Sequence, residues 1–398
     1  MIIWHNKVAK LHQFKAYMKV TIAQGAFLPI PPLRGGAIEK AWFALGKEFV
    51  RRGHQVTHIS RSFDGLPATG LIEGVRHLRL PGFDQPQSRI LLKLEDLIYS
   101  MRVKGALPSA DILVTNTFWL PILVRDSKFG AIYVHVGRYP QGQMALYRHV
   151  ARLQTVSKSV AQAIASQCPK VADKVSVIPY PISDDLIIKS QEPPPLVQRD
   201  RCILYAGRLH KEKGLRILIS AFTQLISRGL RGWKLVIVGP WQSELGGSGE
   251  EYFHRLQSYA NTIQNYVEFP GMMKEGSRLR DYYQKARLFV YPSLAEHGES
   301  FGLAPLEAMA NGCPPLVSSL DCFSEFVREG ETGFIFDHRR KDAVQALADK
   351  ISMAIQSDQL QEIASRGRKL AEDFTVDKVA DRLLADFASL ASAKSSTA

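Results

Sequence analysis

The sequence predicts an α/β protein built from two Rossmann-like halves, and three observations predict it. Short apolar runs of strand character alternate with longer segments of helical periodicity. A strand, glycine and helix unit opens near Met18 and again at Ile203. A Pro-rich stretch, Ser190 to Arg201 with Pro193, Pro194 and Pro195, separates the two. At 398 residues the chain is long enough for two cores, and 45% apolar with 22% charged residues is ordinary for a globular protein.

In chain order, Met18 to Gly25 (MKVTIAQG) reads as a strand and turn. Gly35 and Gly36 follow in a Pro/Gly-rich loop, Ala37 to Arg52 is a helix stopped by Gly53, and Gln55 to Ser60 is the next strand. Arg89 to Lys104 mixes Ile90, Leu91, Leu94, Leu97, Ile98 and Met101 with cations, and two readings stay open: a membrane-surface helix, or a helix packed on its own sheet. Asp111 to Thr115 and Ala131 to Val136 are buried strands, and Lys174 to Pro179 closes the first half. Ile203 to Ala206 is again a buried strand, ended by Gly207. Gly214 precedes a helix with Leu215, Leu218, Ile219 and Phe222 at helical spacing. The expected division is a first domain at 1–189, a linker at 190–201, a second domain at 202–373, and a C-terminal helix at 374–398 that crosses back to the first domain, frayed from Ser392. Residues 1–17 show no clear element, so translation is expected to begin at Met18 and their deletion to leave stability unchanged.

The most informative stretch is Glu296 to Phe336. Phe289 to Ser293 (FVYPS) is a short strand, Leu303 to Asn311 (LAPLEAMAN) is a helix with Gly312 as its stop, and a glycine turn lies between. The first amides of a helix lack intrahelical partners and carry partial positive charge, so the backbone of Ser300, Phe301, Gly302 and Leu303 is a cradle for phosphate. Glu299 precedes the turn and Glu307 sits about one helical turn inside. Carboxylates do not bind phosphate but accept from hydroxyls, which points to a ligand with polyol groups on both sides of its phosphates. Arg208 and Lys213 sit after a buried strand, where ligands bind in open α/β sheets.

Glu299-Ser-Phe-Gly-Leu-Ala-Pro-Leu-Glu307 resembles the E-x7-E signature of the family 4 (group 1) retaining glycosyltransferases of bacterial type, which have the GT-B fold of two Rossmann-like α/β/α domains facing across a cleft. Ile203 to Phe222 resembles the family's G-R-L and E-K-G segment, and Val236 to Pro240, Val267 to Met272 and Tyr282 to Ser293 continue the likeness in order. The resemblance implies that Arg208 and Lys213 neutralise a donor diphosphate, Glu307 holds its ribose and Glu299 orients the transferred sugar. It implies that Gly35 and Gly36 approach the donor phosphates, and that His135 lies beside the donor sugar and is the reserve general base. Where relatives carry Asn-Gly after the last strand of the first half, this chain has Tyr180-Pro181. Gly35-Gly36 is not G-x-G-x-x-G, which disfavours dinucleotide oxidoreduction, and no D-x-D triplet occurs, so no metal or other cofactor is expected. The implied activity is transfer of a sugar from a UDP-, GDP- or ADP-linked donor to a glycan or lipid-linked acceptor, in lipid-linked glycan, lipopolysaccharide or exopolysaccharide synthesis. A GT-B nucleotide-sugar epimerase and a non-catalytic binding module remain open beside it. Ala substitution of Arg208 or Lys213 is expected to abolish most turnover and spare the fold.

Charge is unevenly spread. Residues 1–200 hold 26 Lys and Arg against 14 Asp and Glu, a net +12 of the chain's +13. Such asymmetry implies an anionic partner for the first half, and without a nucleic-acid motif an anionic membrane surface ranks first. No apolar run reaches the ~18 to 20 residues of a membrane span, and the first residues lack the apolar core of a signal peptide. The expected location is cytoplasmic, peripheral to the inner face of the plasma membrane. Cys168, Cys202, Cys313 and Cys322 form no metal-spaced cluster and read as packing residues.

Overall fold

In the computed structural model, residues 17–86, 88–187, 192–273 and 275–395 are described. Two sheets organise them. The strands are β1 Lys19–Ala23, β2 Gln55–Arg61, β3 Thr69–Ile72, β4 Val75–Leu80, β5 Ile112–Thr115, β6 Ala131–Val136, β7 Arg152–Thr155 and β8 Val175–Val177, then β9 Cys202–Ala206, β10 Lys234–Val238, β11 Val267–Gly271, β12 Leu288–Tyr291, β13 Pro315–Ser318 and β14 Phe334–Phe336. The first sheet runs β3-β4-β2-β1-β5-β6-β7-β8 and the second β11-β10-β9-β12-β13-β14. Every recorded pairing in the second sheet is parallel, and β3 against β4 is the antiparallel pair of the first. Parallel strands buried on both faces need apolar side chains throughout, which explains the unbroken runs CILYA in β9 and LFVY in β12.

By contacts, one compact unit comprises the described residues up to Phe27, Gly46–Val134 and those from Ala380 on; the other comprises Leu28–Leu45 and His135–Val379. The last strand of the first sheet ends at Val177 and the first of the second sheet begins at Cys202. The second half of the Pro-rich segment is tied down rather than loose. Arg199 is buried and donates to the carbonyls of Pro194, Tyr283, Ala286 and Asn311 at 2.8 to 3.2 Å. The last helix, Val376–Ser395, runs through the tail expected to fray at Ser392, whose hydroxyl donates to the Ala388 carbonyl. Within the first unit Tyr133 Oη donates to Asp386 at 2.9 Å, and the rings of Phe49 and Phe387 meet edge-on at 5.8 Å. Residues 1–16, on which the expectation about the chain start rests, lie outside the described residues. All four cysteines are free and buried, and no helix among the described residues is long and apolar enough to cross a membrane.

Several strands escape the sequence reading, β3, β4, β7, β13 and β14 among them. β4 reads VRHLRL, with Arg76 and Arg79 breaking its apolar run, and it is a strand through its pairing with β2 on one side and β3 on the other. That pairing sets His58 opposite His77, their rings stacked at 5.5 Å and both fully buried. Neither ring nitrogen of His58 has a hydrogen-bond partner among the described residues. Burial, then the neighbouring His77 and Arg79, hold His58 well below the usual histidine range, and burial with Arg79 lowers His77 to about 4. These folded-state values lie below the unfolded ~6.5, so the unfolded chain binds more protons as pH falls. Stability is therefore expected to drop as pH falls from about 6.5 towards about 4, by up to about 2 kcal/mol per histidine between pH 7.5 and 5. Urea titrations at those two pH values check it. A His58→Asn variant should show a shallower loss than the parent protein, and an identical pH slope would contradict the assignment.

Candidate active site

The second sheet numbers its strands 3-2-1-4-5-6 from one edge to the other, so its order reverses between β9 and β12. At such a switch point the loops after the two central strands part, leaving a crevice at their carboxyl ends. The loops at this place carry Arg208 and Lys213 on one side and Glu299 to Leu303 on the other.

Gly207 follows β9, and the chain then makes a short 3-10 turn, Lys211–Lys213, before the helix Leu215–Ser227. His210 Nδ1 caps the turn by accepting from the Glu212 amide at 3.4 Å, and Gly214 joins turn to helix at φ 69°. Only glycine fits there: a Cβ on Gly214 would lie 2.0 Å from the Pro292 carbonyl oxygen, in the loop after β12. The two loops are also joined by the Leu294 amide donating to the Glu212 carbonyl at 2.7 Å. Below them the rings of Tyr205 and Tyr291 stack at 5.5 Å, 7° from parallel.

On this platform lies the contact that defines the site. Lys213, 5% exposed, donates from Nζ to Glu299 Oε2 at 2.6 Å and stands 5.5 Å over the Tyr291 ring. Glu212 Oε1 approaches the same ammonium at 4.0 Å, Arg208 Nη2 at 3.5 Å and His210 Nδ1 at 3.5 Å. Arg208 is more open and donates from Nη1 to the Gly246 carbonyl at 2.8 Å, in the loop after β10. Burial, with Glu299 beside it, holds the Tyr291 phenol well above its ordinary range.

The helix Leu303–Ala310 starts from Gly302 at φ 80°, without a side-chain cap. Among the described residues no acceptor is found for the amides of Phe301, Gly302 or Leu303. A Cβ on Gly302 would stand 2.4 Å from the Phe323 ring. Pro305, Leu306, Ala308 and Met309 are buried, the apolar face expected from the sequence. Glu307 is half-buried and accepts from Tyr283 Oη at 2.9 Å. Burial raises its carboxyl, against the lowering effects of the Tyr283 hydroxyl and the charge of Lys40. Ser300 turns its hydroxyl to the Gly137 carbonyl at 2.9 Å, in the same compact unit.

Arg208, Lys213 and Glu299 are thus brought together, with Glu212 as the shared neighbour. Gly35 and Gly36 stand in the loop before the helix α1, Ala37–Arg51, whose first turn uses the Gly36 carbonyl, and no hydrogen bond is recorded between them and those three residues among the described ones. His135 is the penultimate residue of β6. It is 4% exposed, and both ring nitrogens are engaged, Nδ1 with Gln154 Oε1 at 2.5 Å and Nε2 with Tyr180 Oη at 3.0 Å. Gln154 donates its amide to the Thr155 and Ile178 carbonyls, so its oxygen must accept; Nδ1 carries the proton and Tyr180 donates to Nε2. Burial lowers its pKa to about 4. In this arrangement the ring links Tyr180 and Gln154. Sequence reasoning passed over Glu212, Tyr291 and Tyr283. Glu212 was visible in the quoted E-K-G segment, whereas the two tyrosines gave no signal separable from core packing. Among the described residues no group of three or more His, Cys, Asp or Glu is placed to hold a metal ion.

Residues 187–370 match the family described as glycosyl transferases group 1. Over 356 residues the chain is 26% identical to the lipopolysaccharide 1,2-N-acetylglucosaminetransferase of Salmonella typhimurium, across 83% of this chain and 90% of that protein. The sucrose-phosphate synthase of Thermosynechococcus elongatus superposes with a TM-score of 0.75 at 18% identity, over 94% of this chain and 99% of that one. Anabaena HepE, solved in complex with UDP and glucose, gives 0.69 at 19% identity over 94% and 100%. These likenesses, with the two parallel-sheet domains, make the fold GT-B.

Because the two loops leave no room at their crossing, Gly214→Ala is expected to destabilise the protein by about 2 kcal/mol or more, through the left-handed backbone and the clash with Pro292. A urea midpoint within error of the parent protein would contradict this packing.

Proposed function

We propose that this chain, whose residues 187–370 match the group 1 glycosyl transferases, is a glycosyltransferase that moves a sugar from a nucleoside-diphosphate donor to a hydroxyl acceptor with retention of anomeric configuration. The observation that carries this is the buried Lys213 ammonium, fixed by Glu299 beside a helix start whose amides lack acceptors. An ammonium has three donors and Glu299 takes one, so the others remain for phosphate oxygens. Arg208 adds a second cation from the same loop.

In this reading the bond from the sugar C1 to the diphosphate oxygen breaks while a bond from the acceptor oxygen to C1 forms on the same face. The acceptor proton passes to the departing phosphate, a reading supported by the engagement of both His135 ring nitrogens with Gln154 and Tyr180. Negative charge grows on the leaving diphosphate, and Arg208, Lys213 and the amides from Ser300 to Leu303 are already oriented towards it, which lowers the barrier without reorganisation. The charge is met by these groups rather than by a metal ion. Glu307 accepts from the ribose hydroxyls and Glu299 from the sugar hydroxyls, the two flanks expected of paired carboxylates around an anion. UDP-linked donors are the first to test, since a fold neighbour is solved with UDP and glucose. Glycan or lipid-linked hydroxyls are the acceptor class.

Lys213 is unsuited to a simple activity test, because its removal leaves Glu299 buried without a counter-charge, at a cost of about 3 to 5 kcal/mol. The expectation that its Ala variant spares the fold is corrected accordingly. Arg208 is half-exposed and serves better. Arg208→Ala is expected to lower turnover on the order of 10²-fold with an unchanged melting temperature. Proton NMR of the first-formed product should show the anomeric configuration of the donor. Inverted product would refute retention, and release of an isomerised sugar without acceptor would make the protein an epimerase.

A further inference from the structure

The helix α2, Arg89–Ala106, carries apolar residues on both its buried and its exposed face. A surface helix ordinarily turns its apolar stripe to the core and its polar face to water. Here the buried residues are Asp96, Tyr99, Ser100 and Val103. Facing outward are Ile90 at 83% exposure, Leu94 and Met101 at 52% each, and Leu91 at 44%. At 3.6 residues per turn, positions 90, 94 and 101 fall within about 40° of one another and 91 about 60° further round, so they make one strip.

The buried Tyr99 and Val103 side chains and a set of hydrogen bonds hold α2 in this orientation. The buried Asp96 carboxylate accepts from the amides of Phe118 and Trp119 at 3.0 and 3.1 Å, and the Trp119 indole donates to the Lys93 carbonyl at 2.8 Å. The apolar strip is therefore presented by a fixed scaffold. Cations border it on both sides: by helical position Lys93 and Lys104 stand on one flank and Arg102 on the other, all exposed. Lys93 Nζ sits 4.9 Å over the Phe118 ring, while Arg102 donates to the Pro81 carbonyl at 2.6 Å and lies 5.3 Å over the Phe83 ring. Phe83, Phe118 and Trp119 are half-buried beneath those charges. Glu95 stands at the Arg102 edge, with one carboxylate oxygen buried.

We propose that α2 is a membrane-docking element, lying in the plane of an anionic bilayer with Ile90, Leu91, Leu94 and Met101 among the acyl chains and Lys93, Arg102 and Lys104 against the headgroups. An apolar strip rimmed by cations and aromatic rings is the chemistry of an interfacial helix. Residues 1–27 and 46–134, which belong to the same compact unit as α2, hold 16 Lys and Arg against 8 Asp and Glu, and this net +8 supplies the longer-range attraction to anionic lipid. A second copy of the chain fits poorly, because a two-fold contact through this face would set the same cations against one another. The proposal concerns the first compact unit and does not rest on the donor chemistry assigned to the second sheet.

The test is co-sedimentation of the full chain with vesicles of phosphatidylcholine alone or mixed with phosphatidylglycerol, at low and high salt. Recovery on anionic vesicles is expected to exceed that on neutral ones by at least tenfold and to fall with salt. An Ile90→Gln, Leu94→Gln, Met101→Gln variant and a Lys93→Glu, Lys104→Glu variant should each lose at least tenfold of that binding. Both should keep the parent's melting temperature and its thermal shift with UDP. Equal recovery on both vesicle types, none on either, or full binding by the Gln variant would overturn the proposal. So would a concentration-dependent dimer, by light scattering without lipid, that the Gln variant abolishes.

Discussion

Most of what the second sheet does depends on one contact, the Lys213 to Glu299 ion pair. It joins the loops after β9 and β12 where the strand order reverses, and those loops approach closely because Gly214 has no Cβ to strike Pro292. A lysine buried alone would be costly, since its charge loses water and gains nothing in return. Glu299 offsets that cost while leaving donors on the ammonium, and the Tyr291 ring beneath adds a cation–π contact. The result is a buried cation held beside a helix start, the arrangement on which the proposed donor site rests.

The same pair constrains what the site tolerates. Its two members come from different loops, so loss of either one leaves the other buried and uncompensated as well as removing a ligand contact. Arg208 is the counterexample in the same loop: tied to Gly246 and Glu212 but open to solvent, it contributes charge with little bearing on folding. Stability and chemistry are thus separable at Arg208 and inseparable at Lys213.

The sequence made the second half more legible than the first, for a physical reason. Parallel strands buried on both faces leave unbroken apolar runs, and the glycines and charges that interrupt them fall where the loops must turn, so Arg208, Lys213, Glu299 and Glu307 stood out by position. In the first half, β4 carries Arg76 and Arg79 and sets His77 against His58 of β2, so no apolar run marks it as a strand. His135 showed the limit at a single residue: a histidine ending a strand looks the same in sequence whether its ring meets a substrate or, as here, Gln154 and Tyr180. The orientation of α2 was equally hidden, because composition gives the residues of an amphipathic helix without saying which face the tertiary contacts of Asp96 turn inward.

The account's central claim is that Lys213, set by Glu299, is the anion-binding centre of the second sheet. A double-mutant cycle on the affinity for UDP, measured calorimetrically with Lys213→Met, Glu299→Gln and the pair, tests it most directly. Lys213→Met is expected to weaken binding about tenfold to a hundredfold, the value of a charge-assisted contact, and the double variant to bind no more weakly than Lys213→Met alone. Unchanged affinity in Lys213→Met, or single effects that simply add in the double variant, would contradict the claim.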